Sequence, residues 1–138
     1  MATLYDLELL ESNNFIHMFL TNGTSPSLRL LREQKEMAVA MGEIGEKIIH
    51  DLGDPSTDIG KSYKRLEDLE GDMRKVMKKV GIAAEEVEKA DAIFKRSPES
   101  LDSLNEDEHE TIQGYWLKKK ECIAELTALG YTFQELFS

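Results

Sequence analysis

One pair of residues in the sequence has the spacing of a metal-ligating motif. Glu106 and His109 form a Glu-x-x-His pattern, the arrangement that di-metal helical bundles use in their cores. Such a site needs a second copy of the pattern and further glutamates, and neither His17 nor His50 has a glutamate three residues before it. Because Glu106 also lies at a polar helix start, we predict that the chain holds no metal ion and no other cofactor.

The densest charge in the chain lies between residues 99 and 110. Six acidic residues occur there without a lysine or an arginine, and we call them the acidic strip: Glu99, Asp102, Glu106, Asp107, Glu108 and Glu110. Carboxylates at a helix N-terminus interact favourably with the helix dipole, but that effect fades within the first turn. The strip is longer than one turn. We therefore interpret it as a candidate protein-binding surface for a partner with a basic surface.

A second set of carboxylates allows an enzymatic alternative. Glu43-Ile-Gly-Glu46 is followed, after twenty residues, by Glu67-Asp-Leu-Glu70. This pattern resembles the Glu-x-x-Glu and Glu-x-x-Asp motifs of MazG-type nucleotide pyrophosphohydrolases, all-helical enzymes whose carboxylates hold magnesium. The resemblance implies that activity, with these glutamates as the ligands. Glu70 stands where the family has aspartate, and the predicted helices place both pairs on polar faces.

Other catalytic signals are missing from the sequence. Cys122 is the only cysteine, so no internal disulfide can form, and the default compartment for such a chain is the reducing cytoplasm. A lone thiol without an adjacent partner group is typical of a packed core position. The sequence has no phosphate-binding loop, nucleophile elbow or zinc-ligand spacing. We therefore predict no catalytic residues.

Prolines, glycines and capping residues predict the helices that position these side chains. Helix starts near 26, 55 and 98 are indicated by a capping residue before each proline, at Ser25-Pro26, Asp54-Pro55 and Ser97-Pro98. Glycines at 53, 81 and 130 follow apolar segments and indicate helix ends. Two capping boxes, Asn105 with Glu108 and Thr132 with Glu135, indicate two further starts.

These signals predict an all-α helical bundle in one domain, which is the ordinary expectation for 138 residues. The predicted long helices are 3–20, 26–52, 55–80, 83–96 and 106–129, with short helical turns at 98–104 and 133–137. No segment alternates strongly enough for a strand. Only Gly53-Asp54 separates helix 26–52 from helix 55–80, so the two should form a long antiparallel hairpin. Helix 106–129 is the third long member, and Lys119 on its apolar stripe should reach solvent along its aliphatic stem.

Two glycines interrupt the predicted helix 26–52. Gly42 and Gly45 share a narrow strip with Ala38, and apolar residues lie directly beside it: Met37, Met41, Ile44, Ile48 and Leu52. Each glycine costs about 1 kcal/mol relative to alanine in a helix interior. We expect both to allow close approach of another helix, within the chain or across a homodimer; a kink at 42–45 is the alternative.

Composition narrows the class of function. The net charge of −10 opposes direct nucleic-acid binding. No apolar run approaches the roughly 18 residues of a membrane span, and the first residues lack the positive charge of a secretory signal. We expect a cytoplasmic, non-enzymatic protein–protein interaction module, an adaptor or inhibitor of the type found among phage and mobile-element accessory proteins. An acidic DNA mimic that occupies a DNA-binding protein is a further alternative.

Overall fold

The computed structural model describes residues 15–96 and 103–137, and their regular structure is entirely helical, without a strand. The α-helices are α1 Phe15–Asn22, α2 Pro26–Ala40, α3 Glu46–Gly53, α4 Asp58–Val80, α5 Ala84–Arg96, α6 Glu106–Ala128 and α7 Phe133–Phe137. A 3-10 helix, Gly42–Gly45, joins α2 to α3. The all-α prediction is confirmed. The predicted helical residues 3–14 and 98–102, with the start at Ser97-Pro98, lie outside the described residues.

The described residues divide into two compact units. Unit 1 comprises residues 15–23, 73–96 and 103–137, and unit 2 comprises residues 24–72. The helix α4 contributes its first part to unit 2 and its last part to unit 1. The prediction of a single domain stays a prediction.

Unit 2 is built on the predicted antiparallel hairpin. Arg32 of α2 pairs with Glu70 of α4 at 3.2 Å, and the Nζ atom of Lys35 lies 5.8 Å from the ring centroid of Tyr63. Residue numbers rise along α2 as the numbers of the contacted residues fall along α4, so the two helices run in opposite directions. The hairpin prediction is therefore confirmed.

The two predicted helix starts of unit 2, near residues 26 and 55, differ in how well they agree with the structure. The Ser25 hydroxyl accepts a hydrogen bond from the Leu28 amide at 3.2 Å, with Pro26 as the first helical residue. The predicted start at residue 55 is wrong, because α4 begins at Asp58. The hydroxyl of Thr57 caps it by accepting from the Gly60 amide at 3.0 Å, and an N-cap oxygen is what an open helix start needs.

The first arm of the hairpin is broken, and the prediction of one continuous helix over 26–52 is wrong. The α2 helix ends at Ala40, and Gly42 has a φ of +63°. A left-handed residue ends an α-helix, and glycine adopts that conformation without steric cost. An added Cβ at Gly42 would contact nothing within 4 Å. This glycine therefore does not serve close packing, and the kink alternative is correct.

Gly45 allows the close approach that was expected of both glycines, but the segment that approaches it is α2 of the same arm and not another arm. It is buried, and a Cβ placed on it would overlap the backbone carbonyl of Ala38. Ala38 belongs to α2, so the close approach is between the two sides of the break in the same arm. The packing of α2 against α3 and against the 3-10 helix depends on this small residue.

Unit 1 is assembled from α1, α5, α6, α7 and the last part of α4. The α1 helix packs against α5 and α7, and α5 packs against α6. The end of α4 contacts α6, the third long helix, through the Lys79–Glu125 ion pair at 2.9 Å. The core includes fully or almost fully buried side chains from each element: Ile16, Phe19, Met73, Val87, Ile112, Leu126 and Leu136.

Most helix ends of unit 1 follow the sequence signals. Gly81 after α4 and Gly130 after α6 have φ values of +79° and +103°, as expected for left-handed caps. At the start of α6 the Asn105 amide oxygen accepts from the Glu108 backbone at 2.9 Å, and the Glu108 carboxylate accepts from the Asn105 backbone at 3.2 Å. The capping box of Thr132 and Glu135 is formed in the same way. In the part of the chain that the structure describes, no helix combines the length and the hydropathy needed to cross a membrane.

Candidate functional site

The structure describes four of the six residues of the acidic strip, since Glu99 and Asp102 lie outside the described residues. The side chains of Glu106, Asp107 and Glu110 are exposed. Within residues 15–96 and 103–137 their carboxylates form no ion pair. Three charges therefore face solvent near the start of α6, and their assignment to a protein partner stays a prediction.

Glu108, the fourth described residue of the strip, has a role within the fold. Its carboxylate completes the capping box with Asn105. It also forms an ion pair with Arg96 at the end of α5. Both contacts hold the side chain in a half-buried position. The start of α6 is therefore tied to α5, and Glu108 contributes less exposed charge than its three neighbours.

The carboxylates of the enzymatic alternative are not brought together. Glu43, Glu46 and Glu67 are exposed, whereas Glu70 is 1% exposed. The expectation that both pairs lie on polar faces is therefore wrong for Glu70, whose carboxylate pairs with Arg32 and accepts a hydrogen bond from the Thr24 hydroxyl. Among the described residues, no group of three or more histidine, cysteine, aspartate and glutamate side chains has an arrangement that could hold a metal ion.

A buried polar cluster joins three helices of unit 1, and no pattern in the sequence predicted it. His17 of α1 lies between Asp91 of α5 and Tyr115 of α6. Its Nε2 atom is 3.2 Å from the Asp91 carboxylate, and its Nδ1 atom is 2.7 Å from the Tyr115 hydroxyl. A neutral imidazole satisfies both contacts if Nε2 donates to Asp91 and Nδ1 accepts from Tyr115.

The charge states of the polar cluster follow from burial and from neighbouring lysines. Burial lowers the pKa of His17, and the nearby Lys119 ammonium lowers it further. Burial raises the pKa of Asp91, but hydrogen bonds from Lys95 and His17 outweigh that effect and lower the pKa overall. Burial also raises the pKa of Tyr115. At neutral pH the cluster therefore contains a carboxylate, a neutral imidazole and a neutral phenol.

Two of the three side chains of the polar cluster are almost completely buried. An Asp–His–hydroxyl order resembles an activated nucleophile in outline, but Tyr115 is fully buried and His17 is 2% exposed. A cavity of about 90 Å³ beside Asp91 is lined by Leu20, Thr21, Ala84, Val87, Glu88 and Asp91. Ligand pockets usually hold about 300–1,000 Å³. The cavity beside Asp91 is therefore smaller than an ordinary ligand pocket.

Two other reactive groups of α6 are also buried. The expectation that Lys119 reaches solvent is wrong, because the residue is fully buried and its Nζ atom lies 5.7 Å from the ring centroid of Tyr115. Cys122 is buried as predicted. Burial raises the pKa of its thiol to about 11. Since the thiolate is the reactive form, this cysteine is chemically inert at neutral pH.

The broken arm of unit 2 presents apolar side chains to solvent. Ile44 is 76% exposed and Met37 is 65% exposed, and Met41 and Ile48 are also exposed. We call these four residues the apolar face. The sequence places them beside the glycine strip, where a packed helix was expected. Periodicity alone cannot distinguish a buried stripe from an exposed one, and the two glycines were the only signal of unusual geometry.

Acidic residues flank the apolar face along the chain. Glu33, Glu36, Glu43 and Glu46 are exposed, and in the described part of the chain none of their carboxylates forms an ion pair. The apolar face and the start of α6 are thus two surfaces of unusual composition among the described residues. Comparison with protein-family models, with curated proteins and with solved structures found no match to this chain.

Proposed function

We propose that this chain is a non-enzymatic protein-interaction module, of the adaptor or inhibitor type, that binds a partner protein through an acidic helical surface. The observation that carries the proposal is the apolar face, with Ile44 and Met37 more than half exposed. Single exposed apolar residues are ordinary. A group of them on elements that pack together, as α2, α3 and the 3-10 helix do, is typical of an interaction site.

Burial against a partner would be favourable. Apolar surface contributes about 25 cal/mol for each Å² removed from water. Met37 and Met41 have flexible, polarisable side chains, which fit partner surfaces of different shape. The exposed carboxylates of Glu106, Asp107 and Glu110 on α6 by themselves favour a partner with a basic surface, because charge complementarity steers association.

Capture of partners by variants of the apolar face tests the proposal. The double variant Met37→Gln, Ile44→Ser replaces two exposed apolar side chains with polar ones. The control is Leu117→Ser, which alters an exposed leucine of α6, in unit 1. Each protein is immobilised, incubated with a lysate and washed, and the retained proteins are measured by mass spectrometry. Circular dichroism establishes that all three proteins are equally helical.

We expect the wild type and Leu117→Ser to retain the same protein, and the double variant to retain at least about tenfold less of it. Tenfold corresponds to 1.4 kcal/mol, which is modest for two side chains at the centre of an interface. Equal retention by the double variant would contradict the proposal. So would a wild type that retains no protein above the background of an uncoated resin.

A further inference from the structure

We propose that unit 1 contains a pH-sensitive switch, in which a second proton on the His17 ring releases the helix α1 from the rest of the unit. The helices α5 and α6 stay packed against each other when α1 opens. The switch belongs to unit 1 and the apolar face belongs to unit 2, so the switch does not depend on the proposed function. The geometry of the imidazole, the charges around it and the packing of α1 carry the proposal.

The imidazole of His17 links α1 to two other helices of unit 1. Its Nε2 atom lies 3.2 Å from the carboxylate of Asp91 on α5, and its Nδ1 atom lies 2.7 Å from the hydroxyl of Tyr115 on α6. His17 is 2% exposed and Tyr115 is fully buried. Water has little access to the ring while α1 is packed, so the protonation state of one side chain affects the contacts with both helices.

A second proton on the imidazole disrupts its hydrogen bond with Tyr115. The neutral ring can accept a hydrogen bond from the hydroxyl at Nδ1, whereas the protonated ring carries a donor on both nitrogens. The hydroxyl must then turn and accept, and its own proton needs a new acceptor. Among the described residues this hydroxyl has no hydrogen-bond partner besides His17. A buried donor without an acceptor is unfavourable, so the packed state opposes protonation.

The charges that face His17 oppose the same proton. The Asp91 carboxylate attracts it from α5, but the other oxygen of that carboxylate is already paired with Lys95 at 2.9 Å. From α6 the ammonium of the fully buried Lys119 acts on the ring. A protonated ring would therefore make three cations around one carboxylate. Burial first, and then Lys119, lower the pKa of His17 in the packed state.

The other ionisable groups beside α1 come from α4, α5 and α7. The Arg74 guanidinium of α4 lies 5.8 Å from the ring centroid of Phe19 and adds a further cation. Glu88 of α5 also lines the cavity beside Asp91, but its side chain is exposed. The Glu135 carboxylate of α7 accepts hydrogen bonds at the start of its own helix. Within residues 15–96 and 103–137, Asp91 is the one carboxylate at hydrogen-bonding distance from the imidazole.

The packing of α1 allows it to open without the rest of the unit. It has eight residues, Phe15–Asn22, whereas α5 has 13 and α6 has 23. The cavity of about 90 Å³ lies at its contact with α5, between Leu20 and Thr21 on one helix and Ala84 and Val87 on the other. Atoms that line a void lose packing partners, and short segments with few contacts open at lower free energy than long packed ones.

The size of the effect follows from the linkage between protonation and opening. In the open state His17 is in water, where its pKa is about 6.5, and the packed ring stays neutral. The equilibrium constant for opening should therefore be steady well above pH 6.5 and rise as the pH falls below that value. Between about pH 7.5 and pH 5 the rise is at most about thirtyfold.

Hydrogen exchange of the backbone amides in the full chain, followed by NMR, measures the opening. Each exchange rate is divided into the rate of an unstructured peptide at the same pH, so the effect of pH on the exchange chemistry cancels. We expect the protection of the α1 amides to fall at least about fivefold between about pH 7.5 and pH 5. The central amides of α6 and of α2 should change less than about twofold.

Three variants assign the effect to the ring. His17→Gln removes the titrating group, so the protection of α1 should no longer depend on pH. The matched variant His50→Gln alters an exposed histidine of α3 and should keep the full dependence. Lys119→Met removes the buried cation and keeps much of the side-chain volume. It should raise the pKa of the packed His17 ring and so reduce the pH dependence, which gives a second test if His17→Gln does not fold.

Three results would overturn the switch. The first is protection of α1 that does not change with pH. The second is an equal loss of protection in α1 and α6, because the unit then unfolds as a whole and α1 has no separate opening. The third is a pH dependence that persists unchanged in His17→Gln or, where that variant does not fold, in Lys119→Met. None of these results bears on the capture experiment with Met37 and Ile44, so the proposed function is tested separately.

Discussion

His17 shows how far residue types alone can mislead about chemistry. The sequence drew attention to Glu106 and His109 by their spacing, but the histidine with the most specific surroundings is His17. Two of its partners, Asp91 and Tyr115, are 74 and 98 residues away in the chain. No local pattern carries information about a contact between three helices. Burial of Lys119 was missed as well: Tyr115 near its ammonium lies on the same helix, but its charge also acts on His17 of α1.

Neutral His17 makes the stability of the protein depend on pH. Burial and Lys119 lower the pKa of this imidazole in the folded state, against the opposing effect of Asp91, and Lys95 lowers it slightly further. In the unfolded chain the pKa is about 6.5. As the pH falls below that value, the unfolded chain binds a proton that the folded protein does not. The contribution of His17 to the free energy of unfolding should therefore be constant well above pH 6.5 and fall as the pH falls below that value.

Urea unfolding between about pH 5 and pH 8 measures this effect. The variant His17→Gln should lose most of the decline between about pH 6.5 and pH 5. The matched variant His50→Gln alters an exposed histidine of α3 and should keep it. The lowered pKa of Asp91 adds a separate loss of stability only at more acidic pH, below its unfolded value near 4. An identical decline in both variants would show that His17 is not the group responsible.

At the scale of the helices, capping signals were reliable where the cap is local. Ser25, Asn105 and Thr132 each cap the helix that the sequence assigned to them. The start of α4 was misplaced because Asp54 and Thr57 are both good caps, and only the folded turn decides between them. Asp54 accepts hydrogen bonds from Ser56 within that turn.

The break in the first arm could not be predicted from periodicity. Gly42 and Gly45 fit a continuous helical wheel as well as they fit a break, because glycine supplies both close packing and a positive φ. The observed geometry divides these uses between them. Gly42 provides the left-handed residue, and Gly45 provides the close approach to Ala38.

Alanine substitutions at two glycines should have opposite effects on stability. In Gly45→Ala the new Cβ would overlap the Ala38 backbone, which cannot move as cheaply as a flexible side chain. We expect a loss of about 1–3 kcal/mol. Gly71 lies inside α4, and a Cβ there would contact nothing within 4 Å. Gly71→Ala should gain about 0.5–1 kcal/mol from the reduced entropy of the unfolded chain.

Thermal and urea unfolding of both variants check this pair of expectations. Gly71→Ala serves as the control for the general cost of adding a methyl group to a helix. A Gly45→Ala protein that is as stable as Gly71→Ala would contradict the close approach between the two sides of the break.

At the scale of the whole molecule, the sequence shows where negative charge concentrates along the chain, and the structure shows which of those carboxylates are exposed. Seven of the ten net negative charges lie between residues 82 and 110. The structure separates Glu108, which caps α6 and pairs with Arg96, from its exposed neighbours. The exposed apolar face was not foreseen, because an amphipathic stripe has the same sequence whether it packs inside the chain or against a partner.

Association with a captured partner should weaken as salt rises if the acidic strip steers it. The triple variant Glu106→Gln, Asp107→Asn, Glu110→Gln removes three exposed charges and leaves Glu108 to cap α6. We expect a lower association rate and a weaker salt dependence, measured by surface plasmon resonance at several salt concentrations.

The matched control removes the same number of exposed charges elsewhere, at Asp58, Glu67 and Glu121. This control should keep most of the rate and of the salt dependence. If the two triple variants behave alike, only the net charge of the protein matters. The acidic strip is then no more than a solvated helix start.

The exposed apolar face also determines how this protein behaves as a colloid. At neutral pH the charge of −10 keeps copies apart, so the osmotic second virial coefficient is positive. Near the isoelectric point of about 4.8 that repulsion vanishes, while Met37 and Ile44 still face water. Short-range attraction between copies then dominates, and the coefficient becomes negative. We therefore expect acidification to bring the protein out of solution through this exposed apolar surface.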